Sequence, residues 1–105
     1  MTAKLVVTTC ENKTEALQIA RKLIDEHLAA CVNLVPGITS VYEWEGKVTE
    51  DTEFLLLIKT TNPAISHLKN TISQIHSYSV PELIVLDISD GLTDYLNWVM
   101  KNVKY

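Results

Sequence analysis

Clustered basic charge is absent from this chain. Nine lysines and arginines face thirteen aspartates and glutamates, for a net charge of −4. Nucleic-acid phosphates are held by grouped cations, so nucleic-acid binding is disfavoured. No apolar stretch approaches twenty residues and no signal-peptide core is visible, so no membrane span is expected. Cysteine is scarce: Cys10 and Cys31 are the only two. That does not make a disulfide scaffold, and the expected setting is the reduced cytoplasm. There the thiols serve as core fillers or as soft-metal ligands. The chain also lacks GxGxxG, a Walker loop, HExxH, CxxC and GxSxG. With no nucleophile and base in recognisable spacing, neither an enzyme nor an organic cofactor is expected.

Apolar residues are plentiful. They make up 47% of 105 residues, enough for a single domain spanning 1–105 but not for two. The stretch from Ala29 to Thr61 dominates the pattern. AACVNLVPGITSVYEWEG leads out and FLLLIKTT returns, a long β-hairpin expected to turn near Gly46-Lys47. Ile38, Ser40, Tyr42 and Trp44 share one face of the outgoing strand. Phe54, Leu56 and Ile58 point one way on the return, Leu55 and Leu57 the other, so that strand needs cover on both faces. From Cys31 to Glu45 an extended chain covers about 45 to 50 Å, more than a globule of this size spans. The arm must therefore bend, protrude or do both, and Pro36-Gly37 is the natural bend. A twisted hairpin folded on its own domain is one reading. An arm that pairs with another copy is the other.

Taken in order, Lys4–Thr9 reads as a central strand. Asn12 and Glu15 fit a capping box. Ala16, Ile19, Ala20, Leu23 and His27 form the apolar face of a helix expected to end near Leu28 to Ala30. After the hairpin, Asn62 can cap and Pro63 can start a second helix, with Ile65, Leu68, Ile72 and Ile75 as its stripe. Leu83–Ile88 reads as the fourth strand. Asp90-Gly91 turns into a short last helix carrying Leu92, Leu96 and Val99; Lys101 to Tyr105 shows no pattern. Strand, helix, strand, strand, helix, strand is a split β-α-β repeat. The expected class is α+β, a ferredoxin-like sandwich with an extended hairpin and a short C-terminal helix. Two helices on one sheet face would leave the other bare, and symmetric self-association is the simplest cover.

Candidate chemistry lies in His76-Ser77-Tyr78-Ser79-Val80-Pro81-Glu82. His76 can be a ligand, a base or a helix cap, and Glu82 offers a carboxylate on the strand start. Cys10 leaves the first strand before a helix N-terminus, where a thiolate is favoured. Whether Cys10 meets His76 within one chain or across a subunit boundary stays open. Thiolate and imidazole together suit copper or zinc better than magnesium. His76, Glu82 and Cys10 are the candidate metal ligands; a structural thiol and a capping histidine are the bland alternatives. Lys59 could neutralise Glu82 or a bound anion, or extend into solvent.

ACVNLVPGITSVYEWEGK, EFLLLIKTT, HSYSVPELIVLDI and YLNWV occur in an order that resembles the CutA family of divalent-cation tolerance proteins, over roughly residues 4 to 99. The resemblance implies a ferredoxin-like fold, a homotrimer built by extending sheets between subunits, a mostly cytoplasmic bacterial protein and a link to copper and other divalent metals. Animal relatives are linked to acetylcholinesterase anchoring. Relatives usually carry His-Pro-Tyr at the second helix exit; His76 and Tyr78 keep the outer two. Ser77 stands in place of the proline, and Ser79 stands where glutamate is common. Some bacterial relatives place a copper-ligand cysteine where this chain has Thr8, while Cys10 resembles the strand-end cysteine of others. Three functions follow: a metal-binding or metal-responsive trimer, a small-ligand signalling trimer of the PII type, or a scaffolding trimer. Any further partner is unspecified.

Overall fold

Residues 2–105 are described by the computed structural model. Eight residues, Ala3–Cys10, form strand β1. Asn12 then caps helix α1, Lys13–Asp25, by accepting the Glu15 N–H at 2.9 Å. This helix ends a turn earlier than its apolar spacing suggests. His27 takes a left-handed φ of 57°. Its N–H reaches the Ile24 carbonyl and the Leu28 N–H reaches that of Leu23, at 3.1 and 2.9 Å. That is a Schellman stop, and Leu23 and Leu28 bury the accompanying apolar contact. His27 is therefore an exposed cap residue and not part of the helix's apolar face.

β2 (Cys31–Trp44) and β3 (Lys47–Thr61) make the hairpin. The turn is Glu45-Gly46, one residue earlier than expected, with φ of 50° and 80°. Two positive φ angles match the twist of the flanking strands in a two-residue turn. Val35 faces Leu55 and Ile38 faces Glu53, so β2 spends three residue steps where β3 spends two. The extra residue is a bulge at Pro36-Gly37, with Gly37 at φ 70°. Because of it Val35 and Ile38 share a face, and Ile38, Ser40, Tyr42 and Trp44 follow on that face. The longest dimension of the molecule is 44 Å against 26 and 21 Å across, so the arm does reach past the body.

A 3₁₀ turn over Asn62–Ala64 precedes α2, Ile65–Ile75. Asn62 does not cap with its side chain; Thr61 holds the cap position. β4 is shorter than expected, Ile84–Asp87, and α3 covers Thr93–Asn102. The sheet order is β2-β3-β1-β4, all neighbours antiparallel. This is the ferredoxin-like arrangement, with β1 central.

Alternation along paired strands sorts the side chains. Val6 faces Ile58, which faces Val32; Thr8 faces Leu56, which faces Leu34. This face meets Ile19 and Leu23 of α1 and Leu68 and Ile72 of α2 in the main core. Burying each large aliphatic contributes about 1.5 to 3 kcal/mol, and a one-residue slip would turn the whole set outward. Leu5, Val7, Leu55 and Leu57 point the other way and stay half-buried. That second face is not wholly bare, contrary to expectation. α3 packs on β1 and β3, and its Val99 is fully buried outside the main core. The tail also has a role the sequence did not show: Val103 enters the main core and Lys104 N–H donates to the His27 carbonyl at 3.0 Å. Leu92 and Ile75, expected to pack, are exposed. Among the described residues, no helix is long and apolar enough to cross a membrane.

Candidate metal centre

Three chain segments converge beneath the sheet end. β1 delivers Cys10 at its last position, α1 contributes Glu15 from its first turn, and α2 ends at His76. One donor atom from each lies within 4.8 Å of the others. Cys10 and His76 thus meet inside a single chain, with Sγ 4.0 Å from Nε2. Both are buried, Cys10 completely.

His76 is held through both ring nitrogens. The Tyr78 N–H donates to Nδ1 at 3.1 Å, so Nδ1 carries the lone pair. Nε2 then carries the proton and donates it to the Thr9 carbonyl at 2.7 Å. The imidazole therefore braces the loop against β1, and does not cap the helix with its side chain. Tyr78 in turn stacks at a tilt on the His76 ring, with centroids 4.8 Å apart.

Burial pushes the Cys10 thiol up to about 12, and the nearby carboxylates of Glu15 and Glu53 add to the shift. At neutral pH the sulfur keeps its proton, against the expectation that the helix N-terminus would favour thiolate. Glu15 behaves differently. Burial acts to raise its pKa, but hydrogen bonds from Ser77 and the proximity of His76 outweigh it and leave the carboxyl below its ordinary value. Its Oε2 accepts the Ser77 N–H at 2.8 Å. Its Oε1 is buried with no hydrogen-bond partner among the described residues. A buried acceptor without a donor is costly, and it is the one open coordination point in the group.

Glu82 is not in this group. It is exposed, its carbonyl accepts the Thr8 hydroxyl at 2.6 Å, and its side chain lines a separate cleft. That cleft, of about 850 Å³, lies between the distal arm and residues 78–82, and neither Cys10 nor His76 lines it. Lys59 reaches Asn33 and lies 4.0 Å from the Cys31 sulfur, so Glu82 is not its partner. Glu15 is the member that sequence reasoning missed. Its spacing from Asn12 suggests a helix cap, and nothing local shows that its carboxylate turns to a loop sixty-two residues away.

Comparison with known proteins places the fold. The sequence profile of the CutA1 divalent ion tolerance protein matches residues 4–102. The chain belongs to the CutA1 family. It is 46% identical over 99 residues to the divalent-cation tolerance protein CutA of Thermus thermophilus, covering 94% of this chain and 96% of that one. It is 52% identical over 91 residues to a CutA homolog of Xenopus laevis, covering 87% of this chain but 60% of the frog protein. Among solved structures, CutA1 from Oryza sativa superposes with a TM-score of 0.96 at 43% identity, covering 99% of this chain and 95% of the rice chain.

A metal ion fits the group formed by Cys10, Glu15 and His76 in one respect: a buried carboxylate oxygen there has no partner among the described residues. Sulfur, imidazole and carboxylate form a soft-to-borderline set, suited to copper or zinc and poorly suited to magnesium.

Proposed function

We propose that this chain acts as a homotrimeric, cytoplasmic, non-enzymatic metal-responsive protein. It takes copper or zinc at Cys10, Glu15 and His76. The observation that carries this reading is the convergence of three unlike donors within 4.8 Å, one of them unpartnered. The half-buried Glu15 and exposed Ser77 mark the way in. Loading is opposed by two local terms. Cys10 must lose a proton it holds up to about 12, and the His76 N–H must release the Thr9 carbonyl. Binding is therefore weak to moderate, and it tightens with pH, because each ligand proton displaced adds its own pH dependence. Assembly into three subunits follows the family resemblance. The half-buried second sheet face and the protruding arm support it.

Calorimetry with Cu(I) and Zn(II) tests the site, on wild type, His76→Ala and Glu15→Gln, each shown to keep its assembly. Weaker binding in both variants supports the reading, whereas isotherms matching wild type reject the site. Small-ligand signalling is the second reading, and the cleft beside the arm is the observation that favours it.

A further inference from the structure

Nε2 is the His76 nitrogen beside the metal group, 4.0 Å from Cys10 Sγ. It is also the nitrogen that carries the ring proton, given to the Thr9 carbonyl at 2.7 Å. Nδ1 is turned to the loop and accepts the Tyr78 N–H at 3.1 Å. A neutral imidazole has one donor nitrogen and one acceptor. Here the acceptor serves Tyr78, and none is left for an ion beside the sulfur.

Coordination needs a lone pair on Nε2. The proton displaced from Nε2 then belongs on Nδ1, the usual state of a metal-bound histidine, whose second nitrogen donates. Two N–H groups would confront each other where one now accepts, those of Nδ1 and Tyr78. Neither can accept, so that contact breaks.

Glu15 sorts the two adjoining peptides. Its Oε2 accepts the Ser77 N–H at 2.8 Å, while its unpartnered atom is the buried Oε1. Oε1 can serve an ion without disturbing Ser77. Of two neighbouring amides, one stays held and the other is expelled. Downstream, the Glu82 carbonyl remains tied to the Thr8 hydroxyl at 2.6 Å. Release is therefore confined to residues 78–81. Its remaining restraint is the Tyr78 hydroxyl, which donates to Glu53 of β3 at 2.7 Å.

We infer that His76 is a tautomeric switch: occupancy of Nε2 moves the ring proton to Nδ1, expels the Tyr78 N–H and frees residues 78–81. The ring keeps one proton throughout, so donor and acceptor exchange places while the imidazole stays neutral. Ser79 and Val80 are exposed, so the state of a buried centre is carried to the surface. Tyr78 is a positioning residue, which acts on the centre through His76. By linkage, docked Tyr78 opposes loading, and whatever loosens it tightens binding. This inference rests on the metal reading and gives it a regulated element.

Zinc(II) is diamagnetic, so NMR on the assembled protein can test the switch. Proton–nitrogen correlation spectra of the His76 ring should show the proton on Nε2 without metal and on Nδ1 at saturation. Amide exchange at Tyr78 should accelerate about tenfold, the worth of one hydrogen bond, while Ser77 keeps its rate. Tyr78→Phe retains the N–H and the ring but loses the hold on Glu53. It should bind zinc several-fold more tightly by calorimetry, a gain that a merely structural tyrosine would not give. Zinc on Nε2 with the Tyr78 amide as protected as before overturns the switch and leaves the metal reading standing. Equal or weaker zinc binding in Tyr78→Phe overturns it too. Unchanged His76 ring signals with a silent isotherm remove both readings.

Discussion

His76 shows how much of a side chain's role is decided by its neighbours. Its residue type announces metal or acid-base chemistry, and that much was legible in the sequence, as was Cys10 at the strand exit. What was not legible is that one nitrogen receives Tyr78 and the other gives to Thr9, because both contacts depend on how a loop folds over a strand. Two measurements follow at this scale. Cys10, fully buried and protonated, should resist a thiol reagent near pH 8, whereas the half-buried Cys31 reacts. One thiol per chain should therefore label in the native protein and two after unfolding; two fast thiols in the native protein would contradict the burial. Glu15 has its folded pKa lowered from an ordinary 4.5. Its stabilising contribution is therefore present above that ordinary value and is lost as pH falls through the lower folded one. Urea midpoints should drop over that acid range in wild type, and Glu15→Gln should flatten this part of the profile.

Among elements, the hairpin was read correctly in extent and bend, but its turn was placed one residue late. Gly46 drew attention as the obvious positive-φ residue, and its partner in the turn is a glutamate, a type that rarely adopts φ of 50°. The same reason hid the end of α1, where His27 occupies a position that glycine usually fills. Intrinsic preference locates such sites only when the preferred residue is present. Glu45 should then carry removable strain. Replacement by asparagine, giving Asn-Gly, should raise stability by about 0.5 to 1 kcal/mol, seen as a higher urea midpoint with an unchanged slope. A lower midpoint would mean that Glu45 makes a compensating contact.

For the whole molecule, the open question is what meets the second sheet face. Helical periodicity showed two helices on one side, but α3 and the tail have too little pattern to reveal that they cover part of the structure. Ile84, Leu86 and Trp44 remain 51%, 44% and 50% exposed. In a trimer they lose water on association. Sedimentation equilibrium should give about three times 11.8 kDa, unchanged on dilution to nanomolar concentrations; a monomer there would end the assembly proposal. If the arm tip is buried between subunits, Trp44→Ala should cost about 3 to 5 kcal/mol. A change near zero in unfolding and assembly would place the ring in solvent.

The bulge at Pro36-Gly37 gives the arm a phase. A strand has only two, since side chains alternate strictly, and an odd number of residue steps separates Val35 from Tyr42 and Trp44. The bulge takes up the odd one, so both rings stay on the side of the sheet that Val35 occupies, opposite Thr49 and Lys47. Deleting either Pro36 or Gly37 would remove the bulge and leave that phase unchanged: Ile38 would still face Glu53, and the arm would lose only the local bend and added twist that a bulge supplies. One residue added beyond Ile38, with no bulge to take it up, would instead turn every later side chain of the strand to the opposite face. The chain's outer surface is thus written with a single-residue frame, much as a reading frame governs everything downstream of it, and the bulge is the place where that frame is corrected.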